Sequence, residues 1–124
     1  MAELSSPGFR ETFVASGDLN TAQFRFVRLN GPDVYMADSG YATGVLQNNP
    51  LNNEHATVCV LGPTKIQLAN SYGADILLGC GSGGYGVNAS AGGTTSEGRK
   101  YGRLIVGASS GAYGVMVFTD VGTL

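Results

Sequence analysis

Short apolar runs broken by glycine, proline and asparagine recur along the whole chain. In 65–68 apolar and polar residues alternate, which is typical of a strand with one buried face. The run 56–61 is almost continuously apolar, as expected for a strand covered on both faces. No window carries the period of a helix longer than a turn or two, so the pattern predicts an all-β protein, a barrel or sandwich. The predicted strands are 22–29, 34–36, 42–47, 56–61, 65–68, 75–78, 85–87, 103–106 and 113–119.

The second half of the chain repeats the pattern of the first half. Residues 41–46 resemble 101–106, and 56–61 resemble 113–118, with a loop between the two strands in each case. The lead-in segments 20–24 and 71–76 are also similar. We therefore predict two similar β-units, 18–69 and 70–119, within one β domain that spans 18–124.

The first seventeen residues lack a clear period. Phe9, Phe13 and Val14 are apolar, but Pro7, Gly8 and Gly17 flank them. This mixture favours an extended N-terminal arm over residues 1–17, ordered against a partner. Further along, 30–33 and Gly62-Pro63 predict turns, and the alternation in 22–29 changes phase between Phe26 and Val27, which indicates a bulge or two-sided burial.

Composition narrows the possible partners. The chain has 124 residues, one domain's length, and only 13% of them are charged, which favours a surface partly covered in an assembly. A net charge of -2 and scattered basic residues argue against a nucleic-acid partner. No apolar run approaches a bilayer span and residues 1–7 do not look like a signal peptide, so we expect no membrane partner and synthesis in the cytoplasm.

Several residues invite a catalytic or cofactor assignment, and each has a simpler interpretation. Cys59 and Cys80 are expected to be free buried thiols, and His55, the only histidine, a partly solvated residue at a loop edge. The run 81–86 matches G-x-G-x-x-G, but no helical period follows it, so we expect a hairpin turn rather than a dinucleotide site. Most carboxylates lie at turns or strand ends. We predict no enzyme activity, no cofactor and no metal site.

Tyrosines stand at the start of several predicted strands, including Tyr41, Tyr101 and Tyr113. Tyrosine is common at protein interfaces because it buries apolar area and keeps a polar tip. It also has a high β-propensity, and the sequence leaves both explanations open.

The repeated strand pattern resembles that of tailed-bacteriophage capsid decoration proteins, also called cement or head-stabilising proteins. The residues that carry the resemblance are 42–46, 56–62 and 66–69, repeated loosely at 104–108 and 114–118. The resemblance covers about 18–119 and is one of pattern. The long Gly/Ser/Thr segment 88–100 and the low charge depart from the family's pattern.

The resemblance implies a small β-barrel or β-tulip-like domain that forms homotrimers on the outside of the virion capsid. Such trimers would bridge neighbouring major capsid proteins at three-fold and quasi-three-fold positions and resist the pressure of the packaged genome. In family terms the arm contacts the capsid, which here gives Phe9, Arg10, Phe13 and Val14 as candidate capsid-binding residues. Tyr41, Tyr101 and Tyr113 are the candidate trimer-interface residues.

Two other functions remain open on the sequence. One is a carbohydrate- or receptor-binding module of a phage tail or head fibre, which would show an aromatic-lined, acidic surface patch. The other is a small β-barrel enzyme, which would need a pocket with convergent polar groups. The absence of tryptophan counts against the first.

Overall fold

Nine strands make up most of the protein in a computed structural model that describes residues 9–38, 41–89 and 100–119. Their bounds are β1 Phe9–Ala15, β2 Phe26–Asn30, β3 Asp33–Met36, β4 Gly44–Leu46, β5 His55–Gln67, β6 Ile76–Cys80, β7 Gly86–Asn88, β8 Gly102–Val106 and β9 Tyr113–Phe118. The all-β prediction is confirmed. The beginning of the predicted arm and most of the predicted loop 88–100 lie outside the described residues.

The first five strands close into a barrel. Their order around the barrel is β1-β3-β2-β4-β5, and the ring is completed by antiparallel pairing of β5 with β1. The β1–β3 contact is parallel and all the others are antiparallel. Closure reduces the length of strand edge that is left open, although residues 9–13 of β1 pair on the β5 side alone. We call residues 9–61 the first unit.

The remaining strands extend from the far half of β5. The order continues β5-β9-β8-β6-β7, and an isolated parallel bridge between Leu68 and Gly86 leads back from β7 to the chain that follows β5. The second unit, 62–119, therefore has the connectivity of the first, including the one parallel contact at the same place. The structure thus holds two units of the same connectivity, with bounds that differ from the predicted 18–69 and 70–119.

The two units also share their register. Cross-strand pairs at equivalent positions are Val45↔Cys59 with Arg103↔Val117, Leu46↔Val58 with Leu104↔Met116, and Val27↔Gly44 with Leu78↔Gly102. Even the turns correspond: Asn53 N–H donates to the Ala15 carbonyl, and Gly111 N–H donates to the Leu68 carbonyl, at 2.9 and 2.8 Å. Asn53 and Gly111 have positive φ angles of 70° and 79°. The repeat is thus one of backbone geometry.

The junction between the units lies inside β5. The predicted turn at Gly62-Pro63 is wrong, because β5 runs unbroken through both residues and pairs them with Phe118 and Val117. The chain bends there instead, with Gly62 at φ 104°, a conformation that glycine adopts at little cost. Each unit therefore begins with a strand, β1 or the second half of β5, whereas the sequence analysis placed the boundary at residue 69.

Residues 9–15 form part of the first barrel, whereas the sequence analysis began the domain at residue 18. β1 pairs along β5 from Phe9↔Leu61 to Val14↔His55. β1 is the first strand of the first unit, as the second half of β5 is the first strand of the second unit. The predicted repeat began at residue 18, so it left the apolar residues of β1 without a place. Pairing to a strand 40 or more residues away leaves no local pattern in the sequence.

Two hydrophobic clusters fill the molecule. One lies inside the first barrel and consists of Ala15, Leu19, Ala22, Val27, Val34, Leu46, Ala56 and Val58. The other joins the interior of the second unit to the outside of the first and consists of Phe26, Ala37, Ala42, Val45, Ile66, Leu68, Leu78, Cys80, Tyr101, Leu104, Met116 and Phe118. Phe26 and Val27 belong to different clusters, so the predicted two-sided burial of this strand is confirmed.

The glycine-rich run forms a tight connection between β6 and β7. Ser82–Gly84 make a single 3-10 turn in which Gly83 and Gly84 have φ angles of 72° and 81°. A Cβ on Gly84 would lie 2.6 Å from the Phe26 carbonyl oxygen of the first unit. The predicted hairpin turn is confirmed, and it packs closely against the other unit.

Candidate functional site

The residues predicted to bind a capsid lie in the wall of the first barrel. Arg10 donates from Nη2 to Oε1 of Gln47 at 2.8 Å, and Phe13 packs against the first-barrel core. Val14 is half-buried beside it. The backbone of Phe9 lies in β1 opposite Leu61. The exposed residues of this strand are Glu11, on the side of Phe13 at the barrel end, and Thr12, on the outer side, two residues that the sequence analysis did not select.

Tyr101 lies in the core, where a partner chain has no access to it. Its side chain is 1% exposed, and its ring stacks on Phe118 with centroids 5.9 Å apart. The Ala42 N–H donates to the tyrosine hydroxyl oxygen at 2.9 Å, which links the two units. The tyrosine thus supplies both apolar area and the acceptor for a buried backbone N–H, which explains its place at the junction.

The other two tyrosines of the predicted trimer interface are on the surface. Tyr41 is 42% exposed and lies under the Arg28 guanidinium, 5.0 Å from its ring centroid. Tyr113 is 50% exposed and meets Phe24 edge to face at 5.6 Å. Both are open to a partner, and neither sits beside Tyr101 on a shared exposed face.

An apolar surface on the second unit is the feature that the sequence analysis missed. Ile105 and Val106 are 48% and 53% exposed at the end of β8, where a register shift places both of them near Val115 of β9. Val117 continues the same outward row and pairs with Arg103. The signal in the sequence was the run of three consecutive apolar residues 104–106, where strict alternation would place Val106 on the same side as the buried Leu104. A partner of apolar character would bury this surface favourably.

The candidate catalytic and metal-binding residues were located in the described parts of the chain. No group of three or more His, Cys, Asp or Glu side chains there lies close enough to hold a metal ion. His55 is exposed at the start of β5, and with Asn53 and Glu54 it borders a shallow open depression. No helix among these residues is long and apolar enough to cross a membrane.

Both cysteines are buried and free, as predicted. Burial raises the pKa of the Cys59 thiol, and this outweighs the opposing effects of a hydrogen bond to the Leu61 carbonyl and of the nearby Arg10 charge. A raised pKa leaves less thiolate at neutral pH, so Cys59 is a poor nucleophile.

We expect Cys59 in the folded protein to react with a disulfide reagent about tenfold or more slowly than in the unfolded chain at pH 7.5. The measurement is thiol release from the reagent over time in a Cys80→Ala variant, with and without guanidinium chloride. The unfolded sample is the internal control. Equal rates in the two conditions would contradict the burial of this thiol.

Comparison with known proteins finds a likeness among solved structures. No protein-family profile matches the chain, and no curated protein sequence matches it. Among solved structures, the head fibre gp8.5 N base of bacteriophage phi29 superimposes with a TM-score of 0.68. The match covers 94% of this chain and 97% of that one at 14% sequence identity. At that identity the two proteins share a fold.

Proposed function

We propose that this protein is a non-catalytic structural protein of a bacteriophage virion that binds the outside of the head as a homotrimer. The observation that carries the proposal is the likeness to a phage head-fibre base over nearly the whole of both chains. The strand pattern that resembles capsid decoration proteins supports the same class of protein. The proposed partner is the major capsid protein, whose neighbouring copies each trimer would bridge.

The physical role would be to raise the free energy needed to separate neighbouring capsid subunits. A trimer at a three-fold position presents three identical contacts at once, so that each can be modest while the whole is firmly held. Binding to the assembled shell alone stabilises that state by mass action. A closed barrel suits this task, because closure protects most of its strand edges from unwanted strand addition.

The pairing of β1 limits the form that the proposed capsid contact could take. β1 is paired along β5 and, at its end, with β3. Residues 14 and 15 are therefore paired on both edges and residues 9–13 on the β5 side alone, and a capsid contact through this strand would use an exposed side chain such as Thr12.

The first test is the solution mass, followed by binding to heads. Light scattering across a dilution series should give three times the chain mass of 12.7 kDa. The protein should then co-sediment saturably with expanded heads prepared from the phage lacking its gene, and should raise the temperature at which those heads release DNA. Absence of saturable binding to expanded heads would refute the proposal.

Unexpanded heads of the same phage provide the matched control. They contain the same major capsid protein in a different arrangement, so they should bind less protein. Equal binding to both would indicate adsorption to the capsid protein and contradict a role at the junctions of the expanded shell.

A further inference from the structure

The contact between the two units shows how one such unit docks on another. The end of the second unit that faces the first is formed by Thr64, Cys80, Tyr101 and Phe118, which we call the second mouth. It packs on the outside of the first barrel, on Phe26, Val45, Gln47 and Cys59, which we call the first wall. Phe26 lies 5.6 and 6.2 Å from the rings of Tyr101 and Phe118, and Gln47 Nε2 donates to Thr64 Oγ1 at 2.8 Å.

The shared register identifies the equivalents of both surfaces. The positions equivalent to the first wall are Leu77, Arg103, Ile105 and Val117, which we call the second wall. Those equivalent to the second mouth are Glu11, Leu29, Thr43 and Val60, which we call the first mouth. The equivalences follow from the cross-strand pairs of the two units.

The second wall and the first mouth are both more exposed than the surfaces to which they are equivalent. Phe26, Val45 and Cys59 of the first wall are all fully buried. Arg103 and Ile105 of the second wall are exposed, and Val117 is half-buried. On the first mouth Glu11 is exposed, while Thr43 and Val60 are half-buried. The chain thus uses one wall and one mouth internally and leaves one of each on its surface.

A three-fold assembly needs two different surfaces of this kind. In a cyclic trimer each subunit contacts its two neighbours through different faces, because the contact is heterologous and the ring closes after three rotations. A wall and a mouth with exposed residues on one chain meet that requirement, and a second copy supplies the complementary surface to each.

We infer that copies of this chain associate head to tail, with the first mouth of one copy seated on the second wall of the next. This inference deepens the proposed trimer and rests on it. Ile105 and Val117 supply apolar area on the wall, and Val60 supplies it on the mouth. The interface repeats between copies the contact that the two units already make within one chain.

Charge complementarity favours this pairing. Glu11 is equivalent to Thr64, and Arg103 is equivalent to Val45. Within the chain both positions contact Gln47, whose Nε2 donates to Thr64 Oγ1 at 2.8 Å and to the Val45 carbonyl oxygen at 2.9 Å. Between copies the same geometry would bring the Glu11 carboxylate beside the Arg103 guanidinium. This converts a neutral contact into an ion pair across the interface.

Arg103 already forms an ion pair within the chain, and breaking this pair costs little free energy. Its Nη1 lies 3.1 Å from the Asp75 carboxylate, and the two side chains are 52% and 85% exposed. Exposed pairs of this kind contribute little to stability, so exchanging Asp75 for Glu11 loses little. The arginine therefore remains available to a neighbouring copy.

The test is thiol crosslinking of the double variant Glu11→Cys/Arg103→Cys with a short bismaleimide. Head-to-tail contact should produce covalent dimers and closed trimers on a denaturing gel, whereas each single variant should stay monomeric. The matched control is Leu51→Cys/Arg103→Cys, because Leu51 is 46% exposed in the loop at the opposite end of the first barrel. That pair should not crosslink. Dimers from a single variant would indicate a two-fold contact and overturn the inference.

A charge reversal provides a second test of the contact that needs no crosslinking reagent. Arg103→Glu should raise the dissociation constant of the oligomer about tenfold, and Glu11→Arg/Arg103→Glu should recover most of the loss. Light scattering distinguishes a failure of the head-to-tail contact from a failure of the proposed trimer. A trimer that neither crosslinks through positions 11 and 103 nor shows this rescue overturns the head-to-tail contact and leaves the proposed function standing. A monomer at all concentrations contradicts the proposed trimer itself, and the inference with it.

Discussion

Truncating Phe26 to alanine should lower the free energy of unfolding by about 3–5 kcal/mol. The ring is fully buried between the two units, where it meets both Tyr101 and Phe118. Its removal leaves a cavity in the one place that joins the first wall to the second mouth, and neither closed unit can collapse to fill it. The measurement is urea unfolding followed in parallel by far-UV circular dichroism and tyrosine fluorescence.

The same experiment shows whether the two units unfold together. Because the cluster around Phe26 spans both units and β5 is shared between them, we expect the native protein to unfold in one transition with coincident probes. Leu51→Ala is the control, since Leu51 is 46% exposed, and it should change stability by less than about 0.5 kcal/mol. A Phe26→Ala protein as stable as this control would show that the inter-unit cluster contributes little.

The sequence predicted the strands well because most of them are defined by local signals. Alternation marks 65–68, and glycine and asparagine mark the turn between β2 and β3. The existence of a repeat also followed from the pattern. Its alignment did not: Gly44 of β4 is equivalent to Gly102 of β8, whereas matching 41–46 to 101–106 sets it against Leu104. The interior positions of the two units hold different residue types, so sequence similarity could not define the alignment of one unit on the other.

Long-range pairing accounts for what the sequence could not supply. β1 completes the first barrel by pairing with β5, and the same strand read alone looks like an unattached arm. Tyr101 and Tyr113 have the same local character, yet one is core and the other surface. The difference arises because the second mouth is covered by the first unit while the outer face of β9 is not. Whether a residue faces another unit depends on the docking of the units, which no local pattern encodes.

The same reasoning explains why the candidate site was found in the structure rather than the sequence. Ile105 and Val117 are ordinary strand residues, and Glu11 is an ordinary polar one. They become candidates only through equivalence to Gln47, Cys59 and Thr64, whose contacts are visible within the chain. An internal repeat in which one copy of a docking surface is used and the other is exposed therefore carries information about assembly.

Replacing Gly102 with alanine should destabilise the protein by about 3 kcal/mol, the upper end of the range for overpacking. A Cβ at this position would overlap the carbonyl oxygen of Val117 and lie 2.6 Å from Met116 Cε. The obstacle is backbone of the paired strand, so rotation of a side chain cannot relieve it, and β8 and β9 would have to separate. Gly44 holds the equivalent place in the first unit, where a Cβ would lie 2.6 Å from the Cys59 carbonyl oxygen.

The matched control for this change is Gly73→Ala, which should alter stability by less than about 0.5 kcal/mol, because a Cβ there meets nothing within 4 Å. Urea unfolding midpoints of the two variants give the comparison. Gly44→Ala extends it, because equivalent close approaches in two units of one register should carry similar costs. A Gly102→Ala protein as stable as Gly73→Ala would mean that β8 and β9 do not approach as closely as this register requires. The equivalence of the two units, and the docking surfaces deduced from it, would then lose their geometric basis.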